Sequence, residues 1–141
     1  MAYRQDYILR MMEMMAEMIA LFLGLIKKGD LQQANKRLNN AYRDFLKKDA
    51  AFFHQLPLDN LTTELLQKHD YTHDHLKVLS ELFFAEAELL LAQNKSAEAL
   101  VFYKKALTLL DYTEKQSLNF SITNIGRRNT LNERITTLTT R

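Results

Sequence analysis

Over the first 28 residues, apolar side chains return at intervals of three and four: Ile8, Met11, Met12, Met15, Ile19, Phe22 and Ile26 fall on one side of a helix. Gly29 ends the run, because glycine enters a positive φ without a steric penalty. Asp30 follows as a cap for the next helix, with Gln33 at the capping-box position. The pattern predicts two helices joined by a very short turn. Three glycines and one proline in 141 residues are too few for the many tight turns of an all-β protein. The fold class expected is all-α, a compact bundle of five to six helices in a single domain.

The second helix keeps Leu31, Ala34, Leu38, Ala41 and Phe45 on one face and places Lys36, Asn40, Arg43 and Lys47 on the other. It is expected to fray before "FFHQLPLDN", where Pro57 marks a break. A short inserted helix at about 58–69 follows, capped by Asp59 or Asn60 and carrying Leu61, Leu65 and Leu66. Thr72 is read as the cap of a long helix from His73 to Gln93, Asn94 as its left-handed stop, and Ser96 as the cap of the helix after it. In the tail, at about 117–139, Leu118, Ile122 and Ile125 are out of phase with Leu131, Ile135 and Leu138. That offset predicts a break or kink at Gly126, with Thr130 and Glu133 forming a new capping box.

Two stretches repeat one helix entry: "GDLQQANKRLNNAYRDFL" from Gly29 returns as "NKSAEALVFYKKALTLL" from Asn94, 65 positions later. Both resemble the tetratricopeptide repeat (TPR), a helix-turn-helix unit of 34 residues with small side chains where its helices touch. In the second copy, 80–113, Phe83 and Tyr103 match the aromatic positions and Ala87, Ala99 and Ala106 the small ones, while Asp111 replaces the usual proline. In the first copy, 15–48, Gly29, Ala34 and Ala41 match, whereas Phe22 replaces a small residue and Leu38 an aromatic one. The resemblance implies TPR-like hairpins separated by the inserted helix. The opening "RQDYILRM" and the later "AEAL…KAL" are also similar to short bacterial helical proteins of uncharacterised function. By the TPR resemblance, an inner groove for a peptide would be lined by Ile19, Leu23, Glu81, Phe84 and Glu88, with the chain's own third or last helix as the alternative occupant.

The apolar residues of the first helix cover an arc of roughly 200°, wider than one core requires. Tyr7, Met14, Met18 and Leu21 form its outer edge, and five of the six methionines lie between Met11 and Met18. This edge is the candidate interaction surface, with a homodimer as the expected partner arrangement.

Charge is distributed as basic, acidic, basic. Residues 27–48 carry seven cations and two acids, 59–98 three and eight, and 99–141 seven and three. Lys36, Arg43 and Lys47, joined by Arg127 and Arg128, are the candidate anion contacts of an alternative reading, a small nucleic-acid or anion binder. The overall charge of only +2, with no dense cationic run, argues against nucleic acid as partner. The absence of cysteine excludes disulfides, thiolate metal sites and cysteine nucleophiles. His69, Asp70, His73, Asp74 and His75 form the one metal-like cluster, but Thr72 interrupts the helix face that would pair His69 with His73, so no metal is expected. No glycine loop suits a phosphate, and no Ser, His and Asp are placed as a triad; neither an enzyme nor a cofactor is expected. The longest apolar run, Met18 to Ile26, is far short of the ~20 residues needed to span a bilayer. A cytoplasmic protein–protein interaction or structural module is the resulting expectation.

Overall fold

The computed structural model describes residues 2–116 and 122–140 and contains helices but no strand among them. Seven α-helices follow one another: α1 (Ala2–Lys28), α2 (Leu31–Leu46), α3 (Ala50–His54), α4 (Leu61–Thr63), α5 (His73–Ala92), α6 (Ser96–Gln116) and α7 (Ile122–Thr139). A π-helical turn, Glu64–Lys68, continues α4. The side chains of Ile8 and Ile122, and all of Leu118, lie outside the described residues.

The all-α expectation holds, although the helix count exceeds the five to six predicted. The extra piece is α3, formed by residues expected to be a frayed end. Lys47 terminates α2 by taking a left-handed φ of 63°, its N–H reaching the Arg43 carbonyl. A lysine in that conformation carries no local signal, unlike Gly29 at φ 83°. The cap at the first turn is as read, Asp30 accepting a hydrogen bond from the Gln33 backbone N–H at 3.2 Å, but the capping box is not completed: the Asp30 N–H donates to the Leu25 carbonyl at 2.9 Å. Thr72 caps α5, accepting from the His75 amide at 3.3 Å, and the His75 ring accepts from the Thr72 amide at 3.1 Å. Asn94 stops the helix hairpin between α5 and α6 with φ 64°.

Helix α5 is the central element, with twelve of its twenty residues buried. It packs on α1, α2 and α6, while α7 packs on α6. Ala34 and Ala41 of α2, Ala87 of α5, and Ala99 and Ala106 of α6 are buried. Small side chains at those places let helix backbones approach closely, and the buried Ser80 hydroxyl donates to the Ala106 carbonyl at 2.8 Å. Phe22, Phe53, Phe83, Phe84 and Tyr103 fill the space between.

Gly126 does not break the tail. Helix α7 runs through it, and Thr130 donates its hydroxyl back to the Gly126 carbonyl at 3.1 Å instead of opening a new helix. The apolar phase shift leaves Ile125 exposed while Leu131 and Leu138 are buried, and arginines add polar anchors. Arg127 and Arg134 both reach acids 46 positions upstream, Glu81 and Glu88. An equal offset two turns apart means that α7 runs parallel to α5.

Candidate functional site

The outer edge of α1 is the most exposed apolar feature. Tyr7 is 68% exposed, Met14 56% and Leu21 57%, and Leu9 is also exposed. Met18, expected on this edge, is half-buried against the core. Its place on the helix turns it toward neighbouring side chains, so the edge consists of Tyr7, Met14 and Leu21 with Met18 at its flank. Tyr7, Arg10, Met11 and Met14 surround a cavity of 260 Å³, walled by Asp44 and Phe45 at the end of α2.

The expected inner groove is not open to a peptide; as the alternative reading has it, the chain's own last helix engages its acids. Ile19 and Phe84 are buried core residues, and Leu23 is half-buried, so these side chains do not line an open surface. The two acids are engaged by α7. Arg127 donates to Glu81 through Nε at 2.7 Å and Nη2 at 3.1 Å, and its guanidinium lies 3.8 Å over the Phe84 ring. Glu88 accepts from Arg134 at 3.2 and 3.3 Å and from the Tyr103 hydroxyl at 2.5 Å. The hydrogen bonds to Glu88 raise the Arg134 pKa. Burial, reinforced by Glu88, raises that of Tyr103 far above the ordinary phenol value. What remains open is a cleft of 350 Å³ between α1, α5, α6 and α7, with Met12 and Leu110 among its apolar lining and Lys77 and Glu81 among its polar lining.

The anion candidates separate into two groups. Arg127 is committed to Glu81, and Arg128 to Asp111 and Glu114. Burial opposes the charge on Arg128, but the hydrogen bonds it donates to those two carboxylates outweigh it and raise its pKa. Lys36, Arg43 and Lys47 remain on the exposed face of α2, with Arg43 3.5 Å from Asp49 and the Lys47 ammonium donating to the Asp44 carbonyl at 3.1 Å. The histidines disperse: His69 stands edge-on to Phe52, His73 lies 3.4 Å from the Tyr112 hydroxyl, and His75 serves the α5 cap. Among the described residues no group of three or more His, Asp or Glu side chains is arranged to hold a metal ion. No described helix is long and apolar enough to cross a membrane.

Sequence reasoning missed a polar cluster inside the fold. Glu86 is buried on α5 and accepts at one oxygen from the Tyr42 hydroxyl, 3.1 Å away, and from His54 Nε2, 2.5 Å away. A carboxylate only accepts, so His54 carries its proton on Nε2. Burial, then the neighbouring Glu86 charge, holds the Tyr42 pKa well above normal. The buried Lys105 ammonium donates to the His54 carbonyl at 3.4 Å and sits 4.7 Å from the Phe102 ring centre; burial lowers its pKa. These contacts bind α3 to α2, α5 and α6. The only sequence signal was a pair of acids, Glu86 and Glu88, within the otherwise apolar run from Leu82 to Ala92.

Comparison with family models, curated proteins and solved structures finds no match to this chain.

Proposed function

We propose that the chain is a TPR-like helical interaction module that self-associates through the outer edge of α1. The observation that carries this reading is the apolar exposure of Tyr7, Met14 and Leu21 on a single helix face. Exposed apolar groups gathered on one face, beside a concave cavity, favour contact with another surface over contact with water. The TPR-like arrangement is supported by the order of packing, α1 on α2, α2 on α5, α5 on α6 and α6 on α7, with α1 also touching α5. It is further supported by the parallel run of α5 and α7. A cytoplasmic setting accords with the cysteine-free composition. The alternative, an anion or nucleic-acid binder, loses Arg127 and Arg128 to internal carboxylates and keeps only the α2 cations. Light scattering of the unmodified protein across a dilution series tests the proposal. A dimer mass that declines toward the monomer on dilution is expected, and a monomer mass at every concentration contradicts it.

A further inference from the structure

Helix α1 carries a finer pattern than an apolar stripe. Tyr7, Met11, Met14, Met18, Leu21 and Leu25 follow one another at spacings of four, three, four, three and four; Tyr7, Met14 and Leu21 are exposed, while buried Met11 and half-buried Met18 and Leu25 form the inner side of the row, where it meets the chain's own core. That is the alternation of a helix-helix seam, in which side chains of one helix enter holes formed by four residues of the other. Tyr7, Arg10, Met11 and Met14 stand at positions i, i+3, i+4 and i+7, the corners of such a hole, and they line the 260 Å³ cavity. Phe45 closes one side. The hole is therefore formed on the same helix that presents exposed, unbranched Met14 as an insert.

Charge fixes the direction. Arg10 and Glu17 are both exposed and flank the seam seven residues apart. In a parallel pair in register, the two copies of Arg10 and Glu17 stand on opposite sides of the seam and gain no contact of opposite charge. An antiparallel copy sets each arginine near the other chain's glutamate, and opposite charges across a contact favour that alignment. With the partner's Met14 in the hole, level with Met11, Arg10 and the partner's Glu17 lie about 3 Å apart along the helix axis at 1.5 Å per residue. Asp44 shares the cavity rim, so the cation at its mouth sits between an acid of its own chain and one of the partner's.

Building on the self-association reading, we infer that two copies pack α1 against α1 in antiparallel fashion, each Met14 entering the other's cavity and each Arg10 facing the other's Glu17. The same register places Tyr7 level with the partner's Met18. Because the chain has no cysteine, single substitutions report this directly. Tyr7→Cys mixed with Met18→Cys should give a covalent dimer on mild oxidation. Tyr7→Cys alone should give none, since the two copies of position 7 stand roughly 16 Å apart along the axis and a disulfide needs Cα atoms within about 7 Å. Arg10→Glu should raise the dimer dissociation constant about fivefold or more, and mixing it with Glu17→Arg should restore association. A Tyr7→Cys self-crosslink, or a dissociation constant unmoved by Arg10→Glu, overturns the antiparallel arrangement while leaving self-association standing. An unmodified protein that stays monomeric overturns both.

Discussion

Replacing Glu86 with leucine removes the acceptor on which Tyr42 and His54 converge. The side-chain volume changes little, so the cost comes from donors left behind. Tyr42 is fully buried and its hydroxyl has no route to water, a loss of about 1–3 kcal/mol. His54 has 38% of its side chain exposed and can turn its N–H to solvent, adding little. A net loss of about 2 kcal/mol is expected, and a domain of this size loses about 3 °C in Tm per kcal/mol. Thermal unfolding followed by circular dichroism should therefore show a drop of about 6 °C. The decisive variant is Tyr42→Phe with Glu86→Leu, which removes donor and acceptor together and should recover about 1 kcal/mol or more over the sum of the single changes. If the two substitutions add to within ~0.5 kcal/mol, they do not interact and the buried cluster is not a stabilising unit.

Ala99→Arg and Ala106→Arg should each destabilise strongly, by about 3 kcal/mol or more, because a long charged side chain has no space at these buried helix contacts; urea titration that leaves the midpoint in place would contradict the close packing. Gly126→Ala should raise Tm by about 2–3 °C, since the residue is helical with nothing within 4 Å of an added Cβ, and a lower Tm would mean that α7 needs glycine there. His75 has its pKa lowered, first by burial, and its neutral ring accepts the Thr72 amide proton. Below its unfolded value near 6.5 the unfolded chain binds more protons, so the stability from this cap is present above pH 6.5 and lost as pH falls. Melts between pH 7.5 and 5.5, with His75→Gln as control, should show a decline that the variant reduces; equal declines would remove His75 as the cause.

What was legible in the sequence was local. Gly29, Asp30, Thr72 and Asn94 act through their own backbone angles or hydrogen bonds three residues away, and each ends or starts a helix where expected. The small alanines also held, because their spacing records helix contact directly. What failed was long-range. Helix α7 is tied to α5 by Arg127 and Arg134 reaching Glu81 and Glu88, pairs separated by 46 residues that no periodicity reports. Those same pairs cover the acids of the expected groove, while Ile19 and Phe84 are consumed by the core. Lys47 closes α2 without a glycine, which hid the short α3 and with it His54 and the Glu86 cluster. The exposed edge of α1 was visible only because its apolar arc exceeded what one core can bury, and Met18 marks where that estimate went one residue too far.

The measurement that bears most directly on the central claim is the solution mass of the Met14→Glu, Leu21→Glu double variant beside the unmodified protein at equal concentration. Both side chains are more than half exposed, so the helical spectrum should change little while two carboxylates enter the contact surface. The account predicts a dimer that becomes a folded monomer. A double variant that remains dimeric with an unaltered spectrum would show that the chains meet elsewhere, and the outer edge of α1 would not be the contact surface.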